Sequence, residues 1–243
     1  EMAARLGIAS RQCLSEATRC LVGVPASRFL GLVSGMAAVS TVLAELMGAA
    51  VGLNLLFGLP LAVGGLITAL AAGIVVWREE YHHVEDMIVG LVGVIGLSYL
   101  VEVFLARPEW RQVLHYSVVP HLTAQNALVT IGVLGAIVMP SNLYLHSAIV
   151  QNKDWRGDKL HHEFVDTTVS MVVGGLINAA IIIVAAAVFY KHGVPIRGIE
   201  EAARTLEPLA GSLARYLFSG GLVLAGFASA ITGSMAGSYA VGG

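Results

Sequence analysis

Charged residues are scarce in this chain. Asp, Glu, Lys and Arg make up 12% of its 243 residues, about half the roughly 25% of a soluble domain. With 56% hydrophobic residues and a mean hydropathy of +0.78, that shortage excludes an ordinary solvated surface and identifies a membrane protein. The 14 Lys and Arg are spread over the connecting segments and the net charge is −2. There is thus no basic footprint, and no nucleic-acid partner is expected. Cysteine is also sparse: Cys13 and Cys20 lie seven apart in a polar segment of helical character, too distant along one helix for a disulfide. The opening Glu-Met-Ala-Ala-Arg lacks a positively charged lead into a short apolar run with a cleavage site, so no signal peptide is visible: either the N-terminus is missing or insertion relies on the first spanning helix.

What the chain has is apolar length. Six runs approach the roughly 20 residues that cross a bilayer core: 29–57, 59–77, 87–105, 126–150, 169–190 and 216–241. One all-α transmembrane domain over 1–243 is expected, in a multi-pass protein of a bacterial-type cell (inner) membrane. Phe57-Gly58-Leu59-Pro60 reads as a tight turn between antiparallel neighbours. The remaining connections, 78–86, 106–125, 151–166 and 191–215, read as polar loops. Lys and Arg divide eight to six between alternate sides, which favours a cytoplasmic N-terminal segment. Glu1 to Ile8 reads as the tail of an earlier helix and Val241-Gly242-Gly243 as the middle of a late one, so the chain is expected to be incomplete at both ends.

Ionisable groups inside such runs are costly, about 2.5 to 3.5 kcal/mol at a helix centre, and each needs a reason. Glu45, near the middle of the first run, reads as an ion or proton relay group. Glu102 lies three residues from a loop and reads as a solvated or snorkelling carboxylate. His146, on its residues alone, reads as a packed histidine that could carry a proton near neutral pH. The pairs His82-His83 and His161-His162 read as solvated loop residues.

The fourth run contains "GAIVMPSNLYLHSAIVQ", from Gly135 to Gln151. Pro140 removes a helical donor and clashes with the carbonyl four residues back, at Ala136, which lipid cannot satisfy. Irregular backbone at that depth persists where it lines a cavity or binds something. An unwound segment could turn the Ala136 carbonyl and the Met139 sulfur toward one point. A carbonyl suits many cations, whereas a thioether selects transition metals over Mg²⁺ or Ca²⁺. On these residues alone a space-filling Pro kink stands beside a metal path.

"MPSNLYLHSAIVQ" resembles the sixth-helix signature of the NRAMP family of divalent metal transporters, Met-Pro-His-Asn-Leu-Tyr-Leu-His-Ser. The likeness runs through "AARLGIAS", "LAELMGAAVGLNLLFGLPL", "IGLSYLVEVFLARPEW", "LINAAIIIVAAAVFY" and "AITGSMAG", similar in order to the second, third, fifth, seventh and eighth helices of that family. It implies a LeuT-like fold of two inverted repeats with broken first and sixth helices, of which this chain spans the second to eighth helices. It also implies that Met139 and the Ala136 carbonyl hold the metal, that Glu45 and His146 are proton-pathway candidates, and that Pro140, Ser141 and Asn142 form the helix break. Pro140 would keep the helix broken, and Asn142 would cap the second half-helix or bond across the gap.

The implied function is secondary transport of Mn²⁺ or Fe²⁺ by alternating access. Its partners are the metal ion, protons and the lipid bilayer, with no cofactor and no covalent chemistry, hence no enzyme. Three departures stand out: Ser141 replaces the first signature histidine, Val42 replaces an aspartate three residues before the third-helix glutamate, and Phe227 replaces an eighth-helix glutamine. Neither Ser141 nor Val42 titrates in the physiological range, which makes an uncoupled metal uniporter the first alternative. The family's Asp-Pro-Gly-Asn motif does not occur in these residues. A non-transporting membrane sensor on the same scaffold is therefore the second alternative.

Overall fold

The computed structural model describes residues 2–78, 81–119, 122–124, 126–152, 160–190, 198 and 212–242. Among them are ten α-helices: α1 (Met2–Ser10), α2 (Leu14–Val22), α3 (Val24–Phe57), α4 (Leu61–Trp77), α5 (Tyr81–Ala106), α6 (Trp110–Val118), α7 (Ala127–Ile137), α8 (Pro140–Asn152), α9 (Leu160–Ala185) and α10 (Ser212–Gly242). A π-helical turn, Ala186–Tyr190, extends α9. By length and composition, five segments can cross a bilayer: Val24–Phe57, Val89–Ala106, Ala127–Gln151, His161–Phe189 and Arg215–Gly242. The apolar α4 has 17 residues. Large apolar side chains stay exposed along these segments, among them Leu97, Phe104, Leu128 and Met171. Such a surface would be a liability in water and is ordinary in lipid.

Local chemistry sets the turns. Gly58 adopts φ 70°, a left-handed conformation that glycine takes without Cβ strain. Its N–H donates to the Asn54 carbonyl at 2.7 Å, while Asn54 Nδ2 donates to the Leu59 carbonyl at 2.7 Å. The chain thereby reverses into α4, which packs on α3: a Cβ at Gly64 would lie 3.2 Å from Ala50 Cα. The stretch 106–125, expected to be a polar loop, contains α6, whose nine residues are too few to span a bilayer. The histidine pairs also differ from expectation, since His82 and His83 lie in the first turn of α5 and His161 and His162 in that of α9. The helices begin before the apolar runs do, so their first turns carry polar residues.

The chain divides into two compact units, the first comprising Glu1–Leu43, Ala127–Val172 and Ile231–Gly243. Here α1 and α2 make an elbow that grips α8. The N–H of Leu14 donates to Ser147 Oγ at 2.9 Å, and that hydroxyl donates to the Tyr144 carbonyl at 2.8 Å. Gln151 Nε2 donates to the Arg11 carbonyl at 2.8 Å. Ala4 and Ile8 of α1 pack against Val150 of α8. Gly7 permits this approach, because a Cβ there would stand 2.7 Å from the Ser147 carbonyl oxygen. Elsewhere in the unit, α10 closes on the first part of α3, where a Cβ at Gly233 would meet Val42 Cγ2 at 2.8 Å.

The second unit comprises Ala44–Asn126 and Val173–Ala230. Its core joins Ile95, Tyr99 and Val103 of α5 to Ala180, Val184 and Val188, with Phe218, Leu224 and Ala225 of α10 against it. Glycines again set the closest approach: a Cβ at Gly226 would collide with the Glu45 carbonyl oxygen and Ala49. Small residues are what let helices pack tightly where lipid offers no hydrophobic drive.

Candidate functional site

The helix break falls where the proline predicts. α7 ends at Ile137, Val138 and Met139 are non-helical, and α8 starts at Pro140. Proline suits a first helical position, since its missing N–H would have no partner there. The Val138 N–H still donates to the Leu134 carbonyl at 2.9 Å, and the Asn142 N–H donates to the Met139 carbonyl at 3.1 Å. Residue 140 cannot donate to the Ala136 carbonyl, so that oxygen is left at the end of α7 without its helical donor. Met139 is half-buried, Ala136 and Pro140 are exposed, and Ser141 is fully buried.

Ser141 Oγ has no hydrogen-bond partner among the described residues. Asn142 lies inside the first turn of α8, exposed, so Met139 rather than Asn142 takes the N-cap position. Among the described residues no three His, Cys, Asp or Glu side chains converge on one point. What the break offers a cation is a thioether and carbonyl oxygens.

His146, on the second turn of α8, faces the first turns of α9. Its Nε2 lies 3.8 Å from Glu163 Oε1, and that oxygen accepts a 2.7 Å hydrogen bond from Thr167 Oγ1. Glu163 is 1% exposed, and its Oε2 has no partner among the described residues. Reading the sequence missed this carboxylate, because the polar string from Gln151 to Asp166 looked like a loop. The available signal was the four-residue spacing of Glu163 and Thr167, which puts both on one helical face.

Glu45 belongs to the second unit, half-buried on α3, with no side-chain partner among the described residues. Phe227 is half-buried on α10. Val42, where an acid was expected by resemblance, packs its methyl against Gly233. Glu102 corrects the expectation of a solvated carboxylate: it is 2% exposed, and neither oxygen has a partner among the described residues. The reason is its face, which it shares with Tyr99 and Val103 at helical spacing, the side of α5 covered by α9 and α10. A cavity of about 900 Å³ in the first unit is lined by α3 and α10 residues such as Leu32, Met36, Ser40 and Ser234, and by none of the break residues. It is therefore not the break site.

Comparison with known proteins agrees with the all-helical fold. A family described as "Natural resistance-associated macrophage protein-like" matches residues 1–243. A divalent metal cation transporter of Caldanaerobacter subterraneus is 42% identical over 96% of this chain and 58% of its own length. A natural resistance-associated macrophage protein 2 homolog of Dictyostelium discoideum is 34% identical over 98% of this chain and 40% of its own. The crystal structure of an Eremococcus coleocola manganese transporter, in complex with an aromatic bis-isothiourea substituted compound, aligns with a TM-score of 0.81 at 27% identity, over 98% of this chain and 55% of that one. The chain thus spans somewhat over half the length of these bacterial relatives. Its architecture is that of an all-α, multi-pass membrane protein, part of a LeuT-like transporter fold. A helix broken at a Met-Pro step, spanning segments of this order and a match along its whole length together show that the chain belongs to the Nramp family.

Proposed function

We propose that the protein is a secondary transporter that moves a divalent transition metal, Mn²⁺ or Fe²⁺, across the membrane by alternating access, and that it is no enzyme. The observation that carries this reading is the break at Val138 and Met139, which leaves the Met139 thioether in the gap between two half-helices and the Ala136 carbonyl at the end of the first without its helical donor. The names of the relatives support the cargo class. Sulfur explains the choice of metal: Mg²⁺ and Ca²⁺ prefer oxygen, so each contact with Met139 favours a softer ion that has shed some of its water. Pro140 keeps the break open. Glu45 and His146 are candidates on these segments to carry the compensating proton.

A second reading, metal transport without proton coupling, is favoured by Val42, whose side chain is spent on packing against Gly233. One experiment tests both. Mn²⁺ uptake into proteoliposomes holding the intact protein would be followed with an internal pH dye, in wild type and Met139→Ala, with and without excess Mg²⁺. The reading expects uptake that resists Mg²⁺ in wild type and an apparent affinity at least about tenfold weaker in Met139→Ala, a change of about 1.4 kcal/mol. Uptake indifferent to Met139 would overturn the metal site. Internal pH that moves with the metal would select coupling over uniport.

A further inference from the structure

We infer that Glu163 is a proton-holding group on the transport route, sharing one exchangeable proton with His146; the inference rests on the transport reading above. A carboxylate 1% exposed, in a segment of membrane-spanning composition, needs compensation that one hydroxyl does not supply. Thr167 Oγ1 gives Glu163 Oε1 its only hydrogen bond among the described residues, at 2.7 Å, and Oε2 has none. The group placed to neutralise it is the His146 imidazole, with Nε2 at 3.8 Å. That is ion-pair distance rather than a hydrogen bond, so a small side-chain rotation makes or breaks the transfer contact.

The ring is built for exchange. Nε2 is enclosed and lacks a hydrogen-bond partner, yet 40% of the side chain is accessible, so the exposure falls on the rest of the imidazole. One edge faces the buried acid, and the other can trade a proton with its surroundings. The pair holds the proton as carboxylate with imidazolium or as carboxylic acid with neutral imidazole. Losing it leaves one net negative charge; gaining a second proton leaves one net positive charge. The other titratable groups on the elements packed here are Arg5 on α1, Glu16, Arg19 and Cys20 on α2, Tyr144 on α8, and His161, His162 and Asp166 on α9. Of these, Tyr144 alone is buried, and Glu16 already accepts from the Cys13 N–H and from Gln151.

Position along the chain makes the pair useful. His146 follows Met139 by seven residues, about 10 Å of helical rise, and precedes the end of its spanning segment at Gln151 by five. Glu163 lies two residues past His161, where the next spanning segment starts. The pair therefore stands between the helix break and one membrane face, close enough to the break for a dication there to repel its proton.

The test combines transport with a measurement that needs no metal. Intact wild type, Glu163→Gln and Glu163→Asp would be reconstituted for Mn²⁺ uptake with an internal pH dye. The His146 ring would be titrated by NMR in detergent, assigned by its loss in His146→Gln. Glu163→Gln should lower the number of protons moved per Mn²⁺, flatten the pH profile of uptake and displace the His146 titration by about one pH unit or more. Glu163→Asp should restore all three in part. An unchanged proton-to-metal ratio with an unmoved His146 titration in folded Glu163→Gln overturns the inference. If wild type takes up no Mn²⁺, the transport reading fails, and the NMR titration still decides whether the pair shares a proton. Should Glu163→Gln not fold, Thr167→Val, which removes the donor to Oε1, must also displace the titration, and an unmoved one sinks the pair.

Discussion

The grip of α1 on α8 makes a quantitative test, because it rests on one missing methyl group. A Cβ on Gly7 would lie 2.7 Å from the Ser147 carbonyl oxygen, and that gap must widen to at least 3.4 Å for ordinary contact. The obstacle is backbone held in a helix, so it cannot swing aside as a side-chain tip would. Moving α1 outward would strain the Leu14 N–H to Ser147 bond at 2.9 Å and the Gln151 bond to the Arg11 carbonyl at 2.8 Å. It would also loosen the packing of Ala4 and Ile8 on Val150. Overpacking of this kind costs about 1–3 kcal/mol.

The substitution Gly7→Ala also gains helix propensity, about 1 kcal/mol, which would mask part of the loss. Gly73→Ala is the reference, since Gly73 sits in α4 with nothing within 4 Å of a new Cβ and takes the gain without the clash. The two variants should therefore differ by the overpacking alone, about 1–3 kcal/mol, with Gly7→Ala the less stable. Unfolding of the intact protein in mixed detergent micelles, followed by tryptophan fluorescence, reads the difference. If the two agree to within about 0.5 kcal/mol, the approach of α1 to α8 is looser than described and the reasoning fails. A real clash should also reduce Mn²⁺ uptake, because α8 carries Pro140 at its head, next to Met139.

Two other changes probe buried polar groups by the same unfolding measurement. Ser147→Ala leaves the Leu14 N–H without its acceptor and should cost about 1–3 kcal/mol; a neutral result would mean that water or another group replaces the hydroxyl. Glu102→Leu should stabilise the protein by about 1–3 kcal/mol, since both carboxyl oxygens of Glu102 lack partners among the described residues. A loss on that change would show that the carboxylate has a partner worth keeping.

Much of this architecture could be read from residues alone, and the limit of that reading has a physical cause. Helix existence follows from local composition: a run such as "LINAAIIIVAAAVFY" cannot pair its backbone in lipid in any other way. The break follows from Pro140, a covalent fact about one residue. Burial of a carboxylate is different, because it depends on which helix covers which face. Glu102 is enclosed because it shares a face with Tyr99 and Val103, against which residues some 80 positions later are packed. Glu163 acquires meaning only when α9 brings it within 3.8 Å of His146, across a connection that looked like a polar loop. Hydrophobic periodicity reports how far a segment dislikes water, and it is silent about which neighbour covers it. Ionisable residues near the ends of apolar runs are therefore where reading by pattern fails first. A carboxylate there is solvated if its face is open and must take up a proton or find a partner if its face is closed, and the sequence string is nearly the same in both cases. His146 and Glu163 occupy the closed case, which is why the titration of that one imidazole tests the fold and the transport route together.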